Sequence, residues 1–130
     1  MKIWKTRNKY HSKKLEFDSI TFDSHREAER YIQLKLLERT GKIQLLKCHP
    51  QYELVPAHIN SQGVKNRPVF YEADFEYWDD NGRHIEDVKP KSKTGEVPAP
   101  FYKKTSAWAV FQIKRKMFEF RYPKLSIELV

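Results

Sequence analysis

Tyr71–Lys91 reads YEADFEYWDDNGRHIEDVKPK, and its alternation predicts a β-hairpin that gathers two aspartates and a lysine. In the first arm, Val69, Tyr71, Ala73, Phe75 and Tyr77 fall on one face, and Phe70, Glu72, Asp74, Glu76 and Trp78 on the other. Asp79-Asp80-Asn81-Gly82 supplies the turn, because Asn-Gly tolerates the positive φ angles of tight hairpins. The second arm runs from Arg83 to about Lys89. Any two- or four-residue loop pairs even-numbered residues of the first arm with odd-numbered residues of the second. Asp74, Asp87 and Lys89 therefore share a face, and Glu86 points the other way. Two carboxylates beside an ammonium make a poor core and a good divalent-metal site.

The rest of the 130 residues is compatible with one folded domain: 39% are hydrophobic and 14% aromatic. No apolar run approaches membrane-spanning length, and MKIWKTRNKYHSKK lacks the apolar core of a signal peptide. The single cysteine, Cys48, excludes an internal disulfide and a cysteine-rich zinc site. A cytoplasmic protein without a membrane partner is expected. Charge is uneven: Lys+Arg number 25 against 17 Asp+Glu, a net of +8. Lys2, Lys5, Arg7, Lys9, Lys13 and Lys14 meet no acid within residues 1–14, and residues 103–124 carry Glu119 as their one acid. The acids gather around the hairpin. A basic body around an acidic pocket suits a polyanion held against metal ions.

Outward from the hairpin, residues 1–20 read as a basic arm with a short strand at Lys14–Phe17. Ser24 can cap a helix to Thr40, with Gly41 ending it and Ala28, Tyr31, Ile32, Leu34, Leu36 and Leu37 as its apolar stripe. Strands follow at Ile43–Leu46 and Gln51–Val55, then a polar loop from His58 to Arg67. Pro90–Lys104, rich in Lys, Pro, Ser and Gly, reads as a mobile loop. A second helix spans about Thr105 to Phe120 with Ala107, Val110, Phe111, Met117 and Phe118 inward, and Leu125–Val130 closes as a strand. This order predicts an α/β fold in which a mixed central β-sheet is flanked by two main helices.

Glu27 admits two readings. Ser24-x-x-Glu27 is the capping-box pattern, in which the glutamate bonds back to the helix N-terminus. Alternatively, Glu27 points from the first turn toward the hairpin carboxylates. The local pattern favours the cap. His49, His58 and His84 show no metal-ligand spacing with one another, and His84 falls on the face opposite Asp87.

Asp74 followed by Asp87-Val88-Lys89 is similar to the D…(D/E)-x-K core of the PD-(D/E)XK nuclease superfamily. With FDSHREAERY (Phe22–Tyr31) upstream and FQIKRKMF (Phe111–Phe118) downstream, the chain resembles a small group of phage-encoded proteins regarded as nuclease-like. It is also similar in layout to the end-cutting endonuclease subunit of certain transposases and to phage Holliday-junction resolvases. Two departures stand out: Ala73 replaces the proline before the first aspartate, and an insert from Lys91 to Lys104 follows Pro90.

The resemblance implies a restriction-endonuclease-like core and a Mg2+- or Mn2+-dependent endonuclease acting on DNA, in the cytoplasm of a phage-infected bacterial cell. Asp74 and Asp87 would be metal ligands with the Val88 carbonyl as a third. Glu27 would be the helix-borne acid, and Lys89 would orient water or stabilise charge on the phosphate. A homodimer is expected because two strands must be cut, with phage recombination or packaging proteins as partners. Lys9, Lys13 and Lys14 of the arm, Lys91 and Lys93 of the loop, and Lys114 and Lys116 of the second helix are the candidate DNA contacts. The alternatives are a non-catalytic DNA-binding or recruiting protein on a nuclease fold, and an interaction protein whose acidic hairpin is a surface feature.

Overall fold

A computed structural model describes residues 4–7 and 13–130 of the chain. Strands β1 (Trp4–Arg7), β2 (Lys13–Phe17) and β3 (Ile20–Phe22) precede helix α1 (His25–Arg39). After it come β4 (Gln44–Cys48), β5 (Gln51–Val55) and the two-residue strands β6 (His58–Ile59) and β7 (Lys65–Asn66). Next are β8 (Val69–Glu72), β9 (Phe75–Asp79) and β10 (Gly82–Asp87), then helix α2 (Ser106–Arg121) and β11 (Ile127–Leu129). The central sheet has the order β11-β10-β9-β4, with β10 and β11 parallel and the other pairs antiparallel. The protein is thus α/β with a mixed central sheet and one main helix on each face. Among the described residues, no helix is long and apolar enough to cross a membrane.

Asp79 pairs with Gly82, leaving a two-residue loop of Asp80 and Asn81, and Gly82 at its exit takes the positive φ of 118°. That register sets Phe75 opposite Glu86, and just beyond it the Asp74 N–H donates to the Glu86 carbonyl at 3.0 Å. The first arm differs from the straight strand the alternation predicts. It breaks at Ala73-Asp74, with β8 pairing β5 and β9 pairing β4. The Ala73 N–H still donates to the Pro50 carbonyl at 3.1 Å, and the His49 N–H to the Asp74 carbonyl at 2.9 Å. Two antiparallel ribbons therefore keep one register through a bend. Pro50 has no N–H for the ladder, and His49 takes a left-handed φ of 53°.

The bend divides the arm between two cores. Phe75 and Tyr77 pack under α1 with Phe22, Tyr31 and Leu34, whereas Tyr71 and Ala73 join Ile85, Phe111 and Phe118 under α2. Truncating a wholly buried aromatic such as Phe75 or Phe118 would cost ~3–5 kcal/mol.

Both helices bury narrower stripes than expected. Ser24 caps α1, its hydroxyl accepting from the Glu27 N–H, and Gly41 follows with φ 78°. Ile32 and Leu36 are exposed, because only Ala28, Tyr31 and Leu34 face β2, β3 and β9 squarely. On α2, Ala107 and Val110 are exposed and Phe111 and Phe118 carry the packing, flanked by Trp108 and Met117.

The region read as an arm contributes strands. β2 lies between β1 and β3, and Leu15, Phe17 and Phe22 are buried under α1. Lys9 lies outside the described residues, and of Lys13 only the backbone, in β2, is described. Residues 90–104 fold back on themselves: the Ala99 N–H donates to the Pro90 carbonyl at 2.7 Å, and Ser92 Oγ accepts from the Glu96 N–H at 2.9 Å. Ala99 is wholly buried.

Candidate active site

Period-two geometry carries Asp74, Asp87 and Lys89 to the same place. The Asp74 N–H donates to the Glu86 carbonyl at 3.0 Å, which holds the aspartate against the end of β10. Asp87 ends that strand, and Lys89 follows two residues on, its N–H donating to the Val130 carbonyl at 2.9 Å. The first turn of α1 brings Glu27. All four side chains line one cavity of about 580 Å³, together with Arg26 and Val88. Just past the end of β10, the Val88 N–H donates to Asp74 Oδ2 at 2.6 Å.

Asp87 is held at both oxygens: Lys89 Nζ lies 2.8 Å from Oδ1, and the Tyr71 hydroxyl donates to Oδ2 at 2.6 Å. Lys89 is 8% exposed, and its ammonium lies 3.9 Å from the centre of the Phe111 ring. The aromatic face and the carboxylate both attract the ammonium and hold it in position. The Arg26 guanidinium donates to the Lys89 carbonyl and fixes the segment after the strand. Burial pushes the Tyr71 hydroxyl far above its ordinary pKa, with the Asp87 charge adding to the effect.

Glu27 resolves the two readings of its motif. Ser24 performs its half of the box, but the Glu27 carboxylate goes to His49, with Oε1 2.9 Å from Nε2. The side chain is 4% exposed and faces the cavity. Donor atoms of Glu27, His49 and Asp74 all lie within 4.8 Å of one another. Burial, followed by the charges of Asp87 and Glu27, pushes the Asp74 carboxyl up to about 9; the Val88 N–H and Lys89 oppose this. The hydrogen bond that His49 makes to the Glu27 carboxylate raises the imidazole's pKa. Carboxylates forced together in this way are the arrangement a divalent cation relieves. The donor set fits such an ion: oxygens of Glu27, Asp74 and Asp87 around one cavity, with Glu27 Oε2 and Asp74 Oδ1 accepting no hydrogen bond among the described residues.

The structure places the candidate DNA contacts in different surroundings. Lys91 lines the cavity, and Lys14 lies 3.8 Å from Asp23 on its rim. Lys93 is exposed in the turn after Pro90. Lys114 donates to the Phe70 carbonyl at 3.2 Å, and Lys116 lies beside Leu54 and Phe120 at another hollow; neither lines this cavity. Two residues escaped the sequence reading: Arg26, which lines the cavity, and His49, which lines a neighbouring hollow and reaches Glu27 from there. Spacing among histidines carried no signal because the acids near His49 are Glu27 of α1 and Asp74 at the break before β9. His84 lies on the other side of the sheet, as expected, between Asp79 and Glu128 at 2.8 Å from each.

The fold and site define an α/β protein with an acid-and-lysine cavity at the bend of its central sheet. Residues 7–130 match the family described as "Protein of unknown function (DUF1064)", and the chain belongs to that family. No curated protein and no solved structure matches it.

Proposed function

We propose that the protein is a divalent-metal-dependent endonuclease of the PD-(D/E)XK kind, acting on DNA in the cytoplasm. The observation that carries this reading is the convergence of Asp74, Asp87, Lys89 and Glu27 on one cavity, with Lys89 ion-paired and nearly buried. Asp74, Asp87 and the Val88 carbonyl would hold Mg2+ or Mn2+, with Glu27 on the opposite wall. When bound, such an ion supplies Lewis-acid polarisation of the phosphate and a more acidic water.

The chain's own residues do the rest. Lys89 presents a fixed positive charge to the phosphate oxygens, and Asp87 and the Phe111 ring keep it in place. Tyr71 locks the second oxygen of Asp87, so the carboxylate cannot rotate away from the cavity. The N-terminus of α1 opens into the same space and favours anionic groups there. Arg26 and Lys91 line the way in, suited to the neighbouring phosphates. A homodimer would supply one centre per strand, as a branched recombination intermediate requires.

The test is cleavage of labelled four-way junction, flap, duplex and single-stranded DNA with Mg2+, Mn2+ or EDTA. Cutting that requires metal and vanishes in Asp74→Ala is expected. DNA binding without cutting, unchanged in the variant, would overturn the catalytic reading in favour of a recruiting protein.

A further inference from the structure

Two sets of donors meet at Asp74, and they differ chemically; His49 joins the second from a neighbouring hollow. Toward β10 the donors are all oxygens: Asp74, Asp87 and the Val88 carbonyl. Toward α1, Asp74 meets Glu27 and the imidazole of His49. Asp87 is not among these mutually close donors, and its oxygens are held by Lys89 and Tyr71. We propose that Glu27, His49 and Asp74 form a second metal position, sharing Asp74 with the first and selective for a divalent transition ion of the manganese type. It rests on the metal-centre half of the reading above and does not depend on what the protein cuts.

Three observations support it. His49 is set by the backbone: its left-handed φ of 53° and its N–H bond to the Asp74 carbonyl fix where the ring leaves the bend. Its ring rests near Phe22, with centroids 5.9 Å apart, and directs Nε2 to Glu27. Glu27 is almost wholly buried yet keeps one oxygen without a hydrogen-bond partner among the described residues. Mg2+ is a hard ion that prefers oxygen ligands and retains its waters, whereas an imidazole suits transition ions. A nitrogen donor in one set and only oxygens in the other therefore separates the two positions by ion type.

Pulsed EPR of the Mn2+ complex of the wild-type protein without DNA tests this. Directly bound imidazole nitrogen should couple to the electron spin. A complex with no nitrogen coupling would overturn the proposal. His49→Asn is the matching variant, since asparagine tolerates left-handed backbone. It should lose the coupling and weaken Mn2+ binding about tenfold or more, with Mg2+ binding unchanged. Equal Mn2+ affinity in variant and wild type would also overturn it. Because the wild-type spectrum is read directly, the test survives a variant that folds poorly. Mn2+ bound without nitrogen coupling removes this inference alone, whereas no binding of either ion removes the metal reading of the whole cavity.

Discussion

Glu86 and Asp87 are consecutive residues of β10, 1% and 6% exposed, and they face opposite helices. Glu86 meets the Arg30 guanidinium through two bonds of 2.7 and 2.6 Å and accepts a third at 2.6 Å from the Tyr77 hydroxyl. Its charge is matched and its surroundings are closed. Asp87 also has two partners, but it sits with Asp74 and Glu27 at a cavity wall, and among the described residues Lys89 is the one lysine ion-paired with any of the three. Nearby Glu76 belongs with Glu86. Burial alone would raise its pKa, yet hydrogen bonds from Arg83 and Tyr52 and the Lys47 charge hold it lower. A buried carboxylate is therefore a poor mark of function by itself. The informative feature is a set of acids crowded together at an open cavity, where burial and each other's charge raise the Asp74 carboxyl.

The sharpest way to break this contrast is at Asp74. Asp74→Ala should reduce metal-dependent cleavage by about 10³-fold or more while the protein stays folded. Lys89→Met should lose cleavage comparably while ion binding, followed by titration with Mn2+, persists. If Lys89→Met lost ion binding instead, the lysine would be holding the site together and not acting on the phosphate.

On the closed side, the effect should fall on stability. Glu86→Ala strands the Arg30 guanidinium and should cost ~3–5 kcal/mol in urea unfolding. Ion binding by the folded fraction should be retained, and its loss would erase the distinction between the two faces.

A smaller effect concerns pH in metal-free protein. Asp74 is pushed up to about 9 when folded, above its ordinary value. Its contribution to stability is therefore full below about pH 4 and is lost as the pH rises through the folded value. Urea melts in EDTA across that range should show the decline, and Asp74→Asn should flatten it. The smallest effect is at the rim: Lys91→Ala should weaken DNA binding alike across sequences and lower the salt slope by about 1.

Much of this was legible beforehand, for reasons specific to each element. Ser24 and Gly41 bounded the first helix, because a cap side chain and a residue free to turn left-handed act locally. Other features were not legible. The Ser24-x-x-Glu27 pattern permits a capping box, but a carboxylate takes the strongest partner within reach, and His49 is brought there by a bend elsewhere in the chain. Helical periodicity named more apolar residues than the sheet could cover, leaving Ile32, Leu36 and Val110 in solvent.

What the amino-acid sequence determined by itself is the hairpin and its consequence. Side chains alternate every residue and a two-residue turn sets the pairing, so Asp74, Asp87 and Lys89 had to share a face and Glu86 had to leave it. What only the tertiary structure decided is which distant groups meet that face. The bend at His49-Pro50 and Ala73-Asp74 turns one strand toward two cores, and it brings His49 and the first turn of α1 to Asp74. Such meetings depend on how helices and sheet pack over long separations in the chain, and no local pattern records them.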